Sequence, residues 1–374
     1  MSSLRSRAIL ASIGAVMLSG GVGLAPVQAV TEPPARAVAE PPARAVAEPS
    51  PPLSATFRWE STGPLVGPRA DADHPVVSIK DPTVVRYRDR WYVYATTANT
   101  AGNWSLVHLN FTDWSKAGAA PQYHLDRNPA IGAGYRAAPQ LFYFAPQRKW
   151  YLVYQTGLPS FSTANHPGRP ETWTAPRNFQ DAMPAIVRDN IGNGFWLDYW
   201  VICDTMNCYL FSSDDNGHLY RARTTVREFP NGFRDTVIVM QDANRFRLFE
   251  GGAVYRIQGT NSYLLMVEAF ASDGRRYYRS WLSTDGIDGE WTPLADTEEE
   301  PFARSTTVTF GPRVPAWTQD VSHGELIRAG IDQTMTIRPC GLRFLYQGVD
   351  PAASGEYSQL PWRLGLLRQT NNPC

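Results

Sequence analysis

Residues 81–95, DPTVVRYRDRWYVYA, begin with an acid, run apolar, turn through charged residues and return through aromatics. Four more stretches share that grammar. They start at Gln140 (QLFYFAPQRKWYLVYQ), Asp198 (DYWVICDTMNCYLFS), Glu250 (EGGAVYRIQGTNSYLLMVEA) and His323 (HGELIRAGIDQTMTIRPCGLRFLYQG). The openers are 59, 58, 52 and 73 residues apart. A hairpin-based period of that length predicts an all-β fold, a five-bladed β-propeller. The longer last interval predicts an insertion in or after the fourth blade, over Asp296–Pro315. A β-sandwich also gives many short strands, but it does not account for five similar segments with polar openers.

The first strand of a propeller blade starts beside the central axis. Asp81, Asp198 and Glu250 are therefore expected at one mouth, with Gln140 and His323 beside them. Converging carboxyls repel, which separates their proton affinities. One can stay ionised as a base while another keeps its proton as an acid, the division that glycoside hydrolysis requires. Acids also open strands for turn and hydrogen-bonding reasons, so each opener singly has that plainer reading. His323 is either a metal ligand or a hydrogen-bonded core histidine.

Lesser candidates surround this set. Glu268, inside the apolar run LLMVEAF, is a partner of the acid or an alternative to it. Glu325 is two residues beyond His323, on the same face of a strand. Asp214-Asp215 precede Asn216-Gly217 and read as a turn.

The 374 residues carry 35 basic and 35 acidic side chains, with 12% aromatic residues. That balance gives no basic stripe for nucleic acid and no polybasic segment for a membrane surface. An uncharged polysaccharide suits it better, although most aromatics are expected in sheet cores. Arg5 and Arg7 precede an apolar run, Ala8–Leu24, and a small-residue site at Val27-Gln28-Ala29. Residues 1–29 thus read as a secretory signal, which predicts an extracellular protein. Residues 30–56 contain PPARAVAE twice in tandem and read as an extended spacer. Residues 57–374 read as one domain, with Trp362–Leu367 as a final strand and Phe57-Arg58-Trp59 placed to pair beside it. The four cysteines suit an oxidising compartment. Cys203 with Cys208, and Cys340 with Cys374, is the preferred of three pairings.

The segments SIKDPTVVRY, ATTANTAGNWSL, GYRAAPQLFYFAPQRKWYLVYQTG, WVICDTMNCYLF, SSDDNGHLY, SHGELIR and QLPWRLGLL together resemble family 62 of the glycoside hydrolases. The resemblance implies a five-bladed propeller that removes arabinofuranosyl groups from arabinoxylan with inversion, acting as a monomer. It implies Asp81 as general base, Glu250 as general acid and Asp198 as the residue that tunes the acid. It also implies His323 near an axial calcium ion and Lys80 in the sugar pocket, with Trp104, Gln140, Tyr346 and Arg363 as further pocket candidates. Two departures stand out. Gly251-Gly252 follow the acid and are expected to loosen it, and Thr205 stands where a second Asp is common.

Overall fold

The computed structural model describes residues 53–372, so the expected leader, nearly all of the spacer, and Cys374 lie outside the described residues. Five sheets make up the structure. Blade I contains Val76–Tyr87, Arg90–Asn99, Trp104–Phe111 and Tyr123–His124. Blade II contains Ala137–Phe144, Lys149–Gln155, Pro159–Ala164 and Arg177–Asn178. Blade III contains Leu197–Cys203, Asn207–Ser213, His218–Thr225 and Arg234–Gln241. Blade IV contains Glu250–Ile257, Tyr263–Phe270, Arg276–Ser283 and Thr292–Ala295, with Thr336–Ile337 added in parallel inside its first strand. The propeller expectation holds.

Blade V joins both ends of the domain. From the axis outward it holds Ser322–Leu326, Arg343–Gly348, Arg363–Gln369, Trp59–Ser61 and Val308–Phe310. Trp59 pairs with Gln369 and Ser61 with Leu367, antiparallel, so the expected closure by the N-terminal segment is present. The insertion before His323 supplies the outermost strand, Val308–Phe310, parallel to Trp59–Ser61. Trp59 anchors the closure: its indole N–H donates to Phe302 O (2.7 Å) and its ring meets Phe302 edge-on. Burying such a side chain contributes about 1.5–3 kcal/mol. Leu53 is buried in the same core, so the packed domain starts a few residues before position 57.

The strands are apolar on both faces because blades stack against one another. Tyr263–Phe270 (YLLMVEAF) is buried along nearly its whole length. A Glu within such a strand needs a specific partner, and Glu268 is fully buried. Cys203 and Cys208 are disulfide-bonded across the blade III hairpin, as the sequence predicts. Cys340 is also disulfide-bonded.

Every first strand carries a β-bulge where it leaves the axis. The breaks in register fall between Lys80 and Thr83, Ala137 and Gln140, Leu197 and Trp200, Glu250 and Ala253, and Ser322 and Gly324. In four blades the residue after the break is left-handed: Asp81 (φ 47°), Ala138 (48°), Asp198 (56°) and Gly251 (65°). Bulges re-aim side chains and free a backbone N–H from the ladder. They also correct the alignment of openers. Asp81 and Asp198 are equivalent positions, Glu250 is one residue before that position, and Gln140 is two residues past its counterpart, Ala138.

Candidate active site

The freed N–H groups build the mouth. Just before each bulge, the first strand pairs with a polar residue of the second: Thr96, Gln155, Ser213, Glu268 and Gln347. Four of these reach across to the next blade and accept its bulge N–H. Thr96 takes Ala138 N (2.8 Å), Gln155 takes Asp198 N (3.0 Å), Glu268 takes His323 N (2.7 Å) and Gln347 takes Asp81 N (2.6 Å). The ring of clasps fails once. Gly251 N donates to the carboxylate of Asp198 (2.8 Å), and Ser213 Oγ is left buried with no partner. Asp198 thus grips the backbone directly after Glu250.

Gly251 and Gly252 do not loosen that point. Gly251 has the left-handed φ of the bulge, and a Cβ there would stand 2.8 Å from the Tyr278 hydroxyl. A Cβ on Gly252 would stand 2.7 Å from Leu219 Cδ1. The two glycines are required by close packing, and Asp198 fixes the first.

Asp81, Asp198 and Glu250 line one cavity of about 620 Å³, together with Lys80, Trp104, Tyr135, Gln155, Asp215, His323 and Tyr357. Lys80 is buried. Its ammonium lies 3.7 Å from the Trp104 ring centre and 4.1 Å from that of Tyr357, and donates to the Tyr357 hydroxyl (3.1 Å). Burial lowers its proton affinity, while Asp81 and Glu250 pull it back. His323 Nδ1 lies 3.5 Å from Asp198 and 3.8 Å from Asp81. Burial alone would lower the His323 pKa, but Asp198, Asp81 and Glu268 outweigh it and raise it. An arginine bridges two acids: Arg276 binds Glu250 Oε1 and Glu268 Oε1. Glu268 also accepts from Ser322 Oγ (2.8 Å). It is a buried support under the mouth, the partner role expected of it.

Burial pushes Asp198 up to about 7; the charges of Glu250 and Asp81 add to this and His323 opposes it. Asp215 rises to about 9, through burial first, then the charges of Glu250 and Asp198, and a hydrogen bond to Glu250. Divergent proton affinities among packed carboxyls mark acid–base sites.

Three pocket candidates lie elsewhere. Gln140 spends both ends of its amide on Val201, accepting from N and donating to O (both 2.8 Å), and ties blade II to blade III at the axis. Tyr346 is buried against Trp317, with its hydroxyl on Ser61 Oγ (2.7 Å). Its neighbour Gln347 faces the mouth instead, since successive strand residues point to opposite sides. Arg363 opens the third strand of blade V, exposed and opposite Gly348, and the cavity receives Tyr357 from the preceding loop. Glu325 is also off the cavity, bound to Thr83 Oγ1 (2.5 Å) and Arg328 Nε (2.6 Å).

Calcium takes six to eight oxygen ligands. Around His323 the side-chain oxygens of Gln347 and Glu268 already serve protein donors, so an ion there would rest on the imidazole and on water. Among the described residues, only Asp71, His74 and His124 bring three ligand atoms within 4.8 Å of one another. The two imidazoles stack at 4.0 Å and 6°, so their in-plane lone pairs do not converge on one ion. His74 is also bonded on both nitrogens, to Asp71 and Asp126.

The pattern described as glycosyl hydrolase family 62 matches residues 58–368, the whole propeller. The chain belongs to glycosyl hydrolase family 62. It is 44% identical over 320 residues to "Alpha-L-arabinofuranosidase C" of Cellvibrio japonicus, covering 84% of this chain and 48% of that protein. The chain therefore spans about half the length of the curated relative it matches. The catalytic domain of a Coprinopsis cinerea GH62 α-L-arabinofuranosidase is 58% identical, with a TM-score of 0.83 over 86% of this chain and all of that one. A GH62 hydrolase in complex with xylotriose is 48% identical, with a TM-score of 0.81 over 84% of this chain and 98% of that one.

Besides Asp215, expected only as a turn residue, five residues of this family 62 site escaped sequence reasoning. Tyr135, Arg276 and Tyr357 open none of the five repeats and end none of them. Gln155 and Gln347 did carry a repeat signal, because each ends an aromatic-rich run at the position of Thr96 and Glu268.

Proposed function

We propose that this protein is an extracellular α-L-arabinofuranosidase that removes arabinofuranosyl side groups from arabinoxylan with inversion. The observation that carries this reading is the meeting of Asp81, Asp198 and Glu250 in one cavity of sugar size, from three different blades. The family relatives named as arabinofuranosidases support the bond cleaved, and the relative held with xylotriose supports a xylose backbone. The sequence pattern of residues 1–29 and the disulfides support an oxidising, extracellular setting.

The arabinose ring enters the cavity against Lys80, Trp104 and Tyr357. Asp81 takes a proton from a water as it attacks the anomeric carbon. Glu250 gives a proton to the departing xylose oxygen from the opposite side. Inversion needs the two carboxyls about 6.5–9.5 Å apart, with room for the water. Asp198 orients the acid by holding the backbone N–H of Gly251, the residue that follows it. A calcium ion beside His323 belongs to the proposal only as a support, and no step runs through it.

Proton NMR of arabinoxylan during digestion tests the reading. Free arabinose, released first as the β-anomer from α-linked groups, is expected. Shortened oligosaccharides would mean a backbone-cleaving enzyme, and binding without turnover would mean a noncatalytic sugar-binding propeller.

A further inference from the structure

Asp214 and Asp215 are adjacent in the turn between the second and third strands of blade III, and they have separate duties. Asp214 makes the turn. Its Oδ1 accepts from Asn216 N (2.8 Å) and His218 N (3.1 Å), and its Oδ2 from His218 Nδ1 and the Tyr220 hydroxyl (both 2.8 Å). Asp215 has a left-handed φ of 54° and lines the cavity. Its carboxyl lies beside that of Glu250 in the cavity wall. Its Oδ1 is buried, and no N–H or O–H group of the described residues reaches it.

Two carboxyls in contact without a donor between them repel when both are ionised, and bond when they share one proton. The groups facing the pair decide how much that matters. Arg276 is on Glu250 and Arg245 is near Asp215, while Asp198 bears on both acids. Lys80, Tyr357 and Glu268 also face Glu250. A cation on a carboxyl favours its charged form, and a second carboxyl beside it opposes that pull.

We propose that Asp215 and Glu250 hold one proton between them, and that Asp215 is a positioning residue that keeps this proton available for the leaving oxygen. The inference rests on reading Glu250 as the acid. As the glycosidic C–O bond breaks, its electron pair stays on the xylose oxygen, which takes the proton from Glu250. The attacking water supplies the new C–O bond and leaves its proton on Asp81. The acid pair passes from one negative charge to two beside Arg276, and solvent returns the proton from Asp81.

The test is Asp215→Asn, which keeps size and polarity but removes the shared charge. The basic limb of the kcat/KM profile marks loss of the last proton from the acid, so it is expected to move to lower pH by about one unit or more. The loss in kcat is expected to be smaller on an aryl arabinofuranoside with a good leaving group, and KM is expected to hold. An unmoved limb in a folded Asp215→Asn protein overturns the proposal. If that variant does not fold, carboxyl 13C NMR of the wild-type enzyme decides. One proton on the pair at pH 7 supports the proposal, and two ionised carboxyls overturn it. Glu250→Gln separates the two readings. Full activity there removes Glu250 as the acid, whereas an inactive Glu250→Gln with an unmoved Asp215→Asn limb removes only the shared proton.

Discussion

The two depths of the propeller axis use the same residue types to opposite ends. At the mouth, Asp81, Asp198, Asp215 and Glu250 crowd one cavity, and Lys80, His323, Arg276 and Arg245 offset them in part. Deeper along the same strands, Glu325 is matched group for group. It accepts from Thr83 and Arg328, and Arg328 also donates to Leu141 O (2.6 Å) and Val84 O (3.3 Å). The deep network is closed, so it holds blades together. The mouth is left with surplus acid, so protons there can move. A buried polar group is structural or chemical according to whether its partners are complete.

The largest way to break this contrast is at the mouth. Glu250→Gln is expected to lower kcat on arabinoxylan by about 10²–10⁴-fold while the unfolding midpoint holds, as loss of a general acid should. Steady-state rates beside a melting curve check both halves. Deep on the axis the expectation reverses. Arg328→Met strands the Glu325 charge and should cost about 3–5 kcal/mol of stability, with activity per folded molecule nearly unchanged. Denaturant titration measures it, and a stable variant would mean that the deep network is not closed.

A finer test uses pH. The folded pKa of Asp198 is raised to about 7 from an ordinary 3.8, mainly by burial. A raised pKa means that folding is easiest with the group protonated, so that contribution is lost as pH climbs from about 4 through 7. Asp198→Asn should therefore be more stable than wild type at pH 8 by about 1–3 kcal/mol, with the gain vanishing by pH 4. Melting curves at both values check the sign. The smallest effect on activity is expected at Gln140. Gln140→Ala leaves Val201 N and O without partners and should cost about 1–3 kcal/mol, with KM for arabinoxylan unmoved. A clear rise in KM would return Gln140 to the sugar pocket.

Much of this contrast was legible in the chain. The spacing of the openers gave the blade count and brought Asp81, Asp198 and Glu250 together, because the period of a propeller maps directly onto its axis. What failed was register at the level of one or two residues. Periodicity does not reveal a bulge, so Gln140 was aligned with residues that belong opposite Ala138. A slip of one residue also exchanged Tyr346 for Gln347, which turns a side chain to the other face. Asp215 was read as a turn because Asp-Asp-Asn-Gly is turn chemistry, and the turn is there. One of the two acids makes it and the other is free for the cavity, a division that only the third dimension displays. Arg276 and Tyr357 belong to no repeat and were invisible for that reason.

The closure of the ring sets the order in which this protein can become active. Trp59 and Gln369 are paired neighbours in blade V, yet nearly the full length of the domain separates them along the chain. Loop-closure entropy delays such a contact until the strands between are laid down. Blade V also contributes His323, and through Gln347 it holds the backbone of Asp81. The mouth is therefore complete only after the last strand has emerged and docked. A nascent or truncated chain would carry the acids of the site without the clasp that aims them, and would stay inert until blade V had closed.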